Sequence, residues 1–199
     1  MAKIVAQKGS DKKATIARKA AALFRQKGFA QTSMRSLGEH MGVEASSLYN
    51  HIGSKNELLQ SICFKVANDF MQESEAVEKL SETVIRKLEK LIRFHIHKML
   101  TDYDEVYVSN HEWKQLQEPY LSNFLHQRRL YEKRLTELVE LGMQKKEIKK
   151  TDAGIAVFTI LSAVRGLEFW HQSKKQTNAT ALADQLVDQL LNGLVKKTN

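Results

Sequence analysis

Residues 32–59 read TSMRSLGEHMGVEASSLYNHIGSKNELL, and the spacing within them decides the fold. Leu37 and Met41 recur at helical spacing and can face one core. Gly42 follows, the residue type that most readily takes the left-handed conformation ending a helix. Val43 is expected to pack the turn. A second short helix then puts Leu48 and Ile52 on one side. Its other side carries Ala45, Ser46, Tyr49 and Asn50, with Ser47 at the boundary, all small or polar groups with little to gain from burial. A short helix with one plugged side and one polar side fits a major groove about 12 Å wide. Two such helices joined by a tight turn form the helix-turn-helix layout, in which the second helix reads DNA.

The next boundary carries a capping box. Ser54 is followed three residues later by Glu57 and then by Leu58 and Leu59, which open an amphipathic helix. Lys55 stands in its first turn, where a cation opposes the helix dipole. An anion in front of it, such as a DNA phosphate, would account for that placement, and a solvated lysine is the plain alternative.

Residues 16–59, IARKAAALFRQKGFAQTSMRSLGEHMGVEASSLYNHIGSKNELL, resemble the DNA-binding domain of the tetracycline-repressor (TetR) family. The resemblance rests on LF-x-x-KGF from Leu23, on the Thr32-Ser33 opening of the second helix, and on GV-x-x-x-x-LY-x-H-x-x-x-K-x-x-LL from Gly42. Ile52 stands where the family usually has phenylalanine, and Gly38 where alanine is common. Carried onto matching positions, the resemblance implies that Arg35 reaches a base edge, with guanine the expected base. It implies that Ala45, Ser46 and Ser47 meet bases or thymine methyls. Ser33, Tyr49, His51 and Lys55 would hold phosphates, and Asn50 would do either. Phosphate contacts set register, and base contacts specify sequence.

Composition agrees with an all-α fold. The 199 residues include one proline and nine glycines, so long helices are the default, and 42% hydrophobic content supports a proper core. Formal net charge is +8 and is unevenly placed: residues 1–60 hold ten Lys/Arg against four Asp/Glu, and the remainder twenty-one against nineteen. The excess lies where counterion-releasing phosphate contacts would form. Cys63 is the only cysteine, so no intramolecular disulfide forms, as suits a reducing compartment. The N-terminus has no apolar signal region and no run is read as approaching a membrane span, so the expectation is a cytoplasmic protein with no membrane partner.

Taken in order, residues 1–11 are expected to form a basic flexible arm, 12–59 the DNA-binding domain, and 60–199 a helical effector-binding and dimerisation domain. Asp11 is read as the cap of a first helix from about Lys12 to Lys27, with Ile16, Ala17, Ala20, Leu23 and Phe24 buried and Gly28 ending it. Later helices are expected from Ser54 towards Glu73, through Val84, Leu88, Leu91, Ile92, Ile96 and Met99, and from Pro119 to about Lys146. Residues 101–118 read as less regular. A nearly all-apolar helix is expected from Ala153 to about His171 and a last one from Thr180 to Lys196, after a polar loop at 172–178. The last two have excess apolar surface, including the stripe Leu182, Leu186, Leu190 and Leu194, which suggests a four-helix bundle across a homodimer.

Enzyme signatures such as GxGxxG, HExxH, CxxC and GxSxG are missing, so no enzyme, catalytic residue or cofactor is expected. His95 and His97 point to different helix faces and do not make a metal pair. Phe94, Tyr103, Tyr107, Trp113, Phe124, Tyr131, Phe158, Phe169 and Trp170 are candidates to line a ligand cavity, although aromatics at helical spacing are more often core. Arg165 interrupts an apolar helix and is either paired with Glu168 or an anchor for a ligand anion. The segments QRRLYEKRLTELVELGMQKKEI and ADQLVDQLLNGL resemble the TetR branch whose effectors are CoA thioesters. That resemblance implies an amphiphilic effector such as an acyl-CoA, with Arg128, Arg129 and Arg165 as anion anchors. The expectation is therefore a ligand-responsive, homodimeric repressor of a double-stranded DNA operator. A regulator of efflux answering an apolar drug-like compound, an architectural helix-turn-helix protein without ligand, and a helical-bundle enzyme or carrier are the alternatives.

Overall fold

A computed structural model describes residues 2–172 and 178–193, with side chains described for 12–170 and 178–193. It contains helices and no strand among the described residues. They are α1 (Ala2–Lys27), α2 (Met34–Met41), α3 (Ala45–Tyr49), α4 (Lys55–Glu78), α5 (Val84–Thr101), α6 (Tyr103–His111), α7 (Tyr120–Gln144), α8 (Ala153–Arg165), α9 (Leu167–Gln172) and α10 (Ala179–Asn192), with a 3-10 turn at Trp113–Gln115.

These elements form two compact units. The first holds residues 1–68 and 104–127, the second 69–103 and 128–199. Each has its own core. In the first, Ala17, Ala20, Ala21, Leu23 and Phe24 of α1 pack with Leu37, Leu48, Ile52, Leu58 and Leu59, and Phe24 meets Phe29 edge to face at 5.1 Å. In the second, Val84, Leu88 and Leu91 of α5 pack with Leu135, Leu138 and Val139 of α7 and with Val157 and Leu161 of α8. The stripe expected in α5 is buried at every position.

Several boundaries differ from the sequence reading. α1 starts at Ala2, so residues 2–11 continue the helix and Asp11 lies inside it instead of capping it. This stretch lacks proline, and Ala2, Lys3, Ala6, Gln7 and Lys8 in it are good helix formers. Residues 103–111, read as irregular, form α6, which buries Tyr103, Val106, Val108, Glu105 and Ser109. Val43 does not pack the turn and is 43% exposed. The apolar helix from Ala153 is interrupted at Gly166, where Phe169 N–H bonds back three residues to the Gly166 carbonyl at 3.1 Å, a tighter turn than the α-helix makes. Glycine is the weakest helix former after proline, so the break falls there. Leu194 and Lys196, placed in the last helix by the sequence, lie outside the described residues, as do residues 173–177 of the expected polar loop.

One expectation about membranes needs correction. Ala153–Trp170 has mean hydropathy 1.4 over 18 residues, long and apolar enough by composition to cross a membrane. The segment carries Arg165 and Glu168 and is broken at Gly166. One side of α8 (Ala153, Val157, Leu161, Val164) is buried in the second unit, while Ile155 and Phe158 stand 63% and 71% exposed. A buried ion cluster ties α4 to α5 in the same unit: Lys98, 8% exposed, donates to Asp69 at 2.6 Å and also bonds Asp102. Burial opposes its charge, but the two carboxylates outweigh burial and hold the Lys98 ammonium above its ordinary pKa.

Candidate nucleic-acid interface and effector region

α2 begins at a cap built by serine on serine. Ser33 Oγ accepts from Ser36 N–H at 3.1 Å, and Ser36 Oγ accepts from Ser33 N–H at 2.9 Å, which satisfies two amides at the helix start. The helix ends at Gly42, whose φ of 71° is the left-handed conformation that glycine adopts most readily. Gly38 is the second necessary glycine. A Cβ there would stand 2.7 Å from the Val43 carbonyl oxygen, so its absence lets α2 lie against the chain entering α3.

α3 spans Ala45–Tyr49 and has the two-sided character its sequence predicts. Leu48 and Ile52 are 2% and 5% exposed, whereas Tyr49 is 54% exposed and Ser46, Ser47 and Asn50 lie open. Ala45 and His51 are half-buried. Arg35 and Ser33 are exposed on and before α2. Arg35 Nε donates to Glu39 Oε1 at 3.1 Å.

The start of α4 departs from a simple capping box. Ser54 Oγ accepts from Glu57 N–H at 3.1 Å as expected, but Glu57 Oε2 accepts from Gly53 N–H at 2.7 Å, one residue earlier than the box requires. Lys55 is half-buried. Its ammonium donates to the Phe29 carbonyl at 2.8 Å and the Ala30 carbonyl at 3.5 Å, and lies 4.3 Å from the centre of the Phe29 ring. It thus braces the link between α1 and α2, and one of its three protons stays free for a further acceptor.

The residues proposed to line a ligand cavity are divided between the two units. In the first, Phe124 is buried in the core, Trp113 packs beside it, and Tyr107 stacks on His111 at 4.3 Å. The second unit holds the rest. Tyr103 is buried and Arg128 half-buried, with Arg129 exposed. Phe158, Phe169 and Trp170 stand on the outer surface instead of lining an interior, at 71%, 68% and 39% exposure. Phe169 and Trp170 flank a surface groove of about 590 Å³ with Leu182 and Leu186. Arg165 is not buried either: its side chain is 45% exposed and meets Glu132 Oε1 at 3.8 Å.

In the second unit half-buried Phe94 and buried Tyr131 both meet Phe70, beside a residue the metal reading excludes. His95 stacks on Phe70 at 4.3 Å, Phe70 meets Phe94 edge to face at 5.5 Å, and His95 Nε2 is 2.7 Å from the Tyr131 hydroxyl. Burial, with the charge of Arg165 second, pushes the His95 imidazole down to about 3. Burial first, then Glu73, pushes the Tyr131 hydroxyl up. Both are neutral at neutral pH and form one polar point in an apolar wall. Beside them Leu88, Leu91, Ile92, Leu135, Val157 and Ile160 enclose about 10 Å³, room for roughly one water. The signal was present in the sequence, since His95 falls in the α5 stripe with Leu88, Leu91 and Ile92.

A capped short helix, a glycine turn and a second helix with one buried and one open polar side define a helix-turn-helix protein. Comparison with known proteins makes this specific. Residues 16–62 match the model for bacterial regulatory proteins of the tetR family, and residues 81–194 match the tetracyclin repressor-like C-terminal domain. The chain belongs to the TetR family and is a transcriptional regulator, not an enzyme. No curated protein matches its sequence. Among solved structures, the TetR family regulator PfmR from Thermus thermophilus is 23% identical, with a TM-score of 0.80, over 91% of this chain and 99% of that one. AibR, in complex with isovaleryl coenzyme A and operator DNA, is 22% identical at a TM-score of 0.77, over 90% of this chain and 97% of that one. The ketosteroid regulator KstR2 of Mycobacterium tuberculosis is 17% identical at 0.83, over 94% and 96%. At these identities the likeness shows the fold.

Proposed function

We propose that this regulator is a homodimeric repressor that α2 and α3 hold on an operator and that a small amphiphilic anion, of the acyl-CoA type, releases. The observation that carries the DNA reading is the contrast within α3, where Leu48 is 2% exposed and its neighbour Tyr49 54%. Arg35 and, on α3, Ala45, Ser46 and Ser47 read bases. Ser33, Tyr49, His51 and the free proton of Lys55 take phosphates, and the regulator meets its operator in the cytoplasm. Half-sites one helical turn apart require two copies. The exposed Ile155, Phe158, Phe169 and Trp170, with half-buried Leu186 and Leu190 on α10, supply the apolar face that joins them.

The effector reading draws support from the His95–Tyr131 pair in an apolar surround, and from the fold shared with AibR, which binds isovaleryl coenzyme A. Space of about 10 Å³ does not admit an acyl chain, so binding must part α5, α7 and α8. A ligand that fits only a parted state has the differential affinity a switch needs. Residues 55–68 of α4 belong to the first unit and 69–78 to the second, as do residues 120–127 and 128–144 of α7, so these two helices carry the change. By reciprocity, DNA weakens effector binding by the same factor.

The test is a gel shift with genomic fragments, followed by titration of acyl-CoA esters of several chain lengths into the preformed complex, with Arg165→Met beside the parent. Failure to bind any fragment more tightly than bulk DNA sinks the operator reading. Release by a neutral or cationic apolar compound, and by no acyl-CoA, sinks the effector class alone.

A further inference from the structure

Arg35 is already held before any DNA arrives. Its Nε donates to Glu39 Oε1 at 3.1 Å, one turn further along α2, with side chains 87% and 66% exposed. Among the described residues the guanidinium makes no other hydrogen bond, so Nη1 and Nη2 stay uncommitted.

As a device for stabilising α2, this pair is poorly arranged. Arginine precedes glutamate, the weaker order for an i,i+4 pair. Arg35 sits in the first turn of the eight-residue helix and Glu39 in the last, so each charge opposes the helix dipole at its own end. Beside a residue that meets DNA, a carboxylate also repels phosphate and weakens binding to any sequence. Helix stability and overall affinity both argue against Glu39, which leaves the geometry of its bond to account for it.

We propose that Glu39 is a positioning residue that sets sequence specificity. By taking Nε, it holds the guanidinium so that Nη1 and Nη2 form a two-pronged donor for guanine O6 and N7. It also blocks the alternative fork made from Nε and one Nη, and it restrains Arg35 from swinging to a phosphate, a contact that would carry no sequence information. This inference rests on the reading of Arg35 as a base reader.

The experiment uses the full chain and two probes: a duplex selected by the parent protein from a random-sequence pool, and a scrambled duplex of the same composition. Fluorescence anisotropy at one fixed salt concentration gives the ratio of the two affinities. Glu39→Ala removes charge and acceptor together. It should raise affinity for scrambled DNA about twofold through lost repulsion and lower the ratio about fivefold, as the fork loses its preorganisation. Glu39→Gln removes the charge but keeps an oxygen that accepts from Nε. It should raise scrambled binding equally and keep the ratio within about twofold of the parent. Glu39→Asp keeps the charge but shortens the reach, so its ratio should fall with scrambled binding unchanged, and it decides the matter should Glu39→Ala lower the melting temperature. Equal losses of ratio in the Ala and Gln variants would mean that charge alone acts and would overturn the proposal. So would an unchanged ratio in Glu39→Ala while Arg35→Ala loses it. If Arg35→Ala itself keeps the ratio, the base-reading assignment fails first.

Discussion

The two units solve opposite problems with the same element. The first covers its apolar residues almost completely: Leu37, Leu48, Leu58 and Leu59 are at most 2% exposed, and Tyr49 and Val43 are its large apolar side chains left open in and around α3. The second buries the apolar stripe of α5 yet leaves Ile155, Phe158 and Phe169 more than 60% exposed. A surface that stays polar suits a partner that must be released, because phosphate contacts are reversible and salt-sensitive. A surface that stays apolar suits a partner meant to remain, since obligate dimer faces resemble a core cut in half. Where a helix leaves its uncovered side, and of what chemistry, thus separates the proposed DNA face from the proposed subunit face.

The comparison breaks first at Phe158. An aspartate there costs the monomer little, because the side chain is 71% exposed, but it puts a charge into the proposed apolar seam. Phe158→Asp should give a folded monomer by light scattering, with operator affinity down about 100-fold or more as paired half-site binding is lost. A folded dimer with full affinity would place the subunit face elsewhere.

The reader is broken from inside by neighbouring residues with opposite fates. Leu48→Ala should lower unfolding free energy by about 2–5 kcal/mol in urea melts, the usual range for a buried leucine. Tyr49→Ala should change it by no more than about 0.5 kcal/mol and should weaken DNA binding instead. If both variants lose similar stability, α3 does not have the two-sided character assigned to it.

Lys55 sharpens the contrast. The sequence assigned it to a phosphate, and the structure adds two backbone carbonyls and an aromatic ring. Lys55→Ala should therefore lower stability by about 2 kcal/mol, the scale of hydrogen bonds from a charged donor, and should reduce the salt slope of DNA binding by about one per subunit. Lost stability with an unchanged slope would leave Lys55 purely a brace of the link after α1.

The reader was legible because its signals are local. Gly42, the Leu37/Met41 and Leu48/Ile52 spacings and the start of α4 at Lys55 all depend on residues within a few positions of one another. What escaped reading needed the tertiary structure. The Lys55 contacts cross 25 or 26 residues and His95 meets Tyr131 across 36. Nothing in a periodicity says which side of an all-apolar helix faces inward, so Phe158 and Val157 look alike until α5 and α7 pack against one of them. Aromaticity alone groups Trp113 and Phe124 with the effector residues, whereas packing puts Phe124 in the core of the first unit with Trp113 against it. The TetR motifs named the class early, while the ligand-facing surface had no motif to read.

The finest distinction between the units is their response to acid, and it centres on His95. The imidazole is held down to about 3 in the folded protein, first by burial and then by Arg165, against an ordinary value of 6.5. A depressed histidine pKa means that the unfolded chain takes up a proton where the folded chain does not. The neutral state's full contribution is therefore present above pH 6.5 and drains away as pH falls towards 3. Between pH 6.5 and 5 this amounts to about 1–2 kcal/mol. His95→Gln removes the titration and keeps a polar partner for the Tyr131 hydroxyl. Urea melts at the two pH values should show the parent losing that amount, and the variant should show a flatter profile, even if it starts less stable. Equal slopes would mean that His95 takes up its proton without unfolding, so that water reaches the pair and the apolar wall proposed to receive the effector is open in the resting protein.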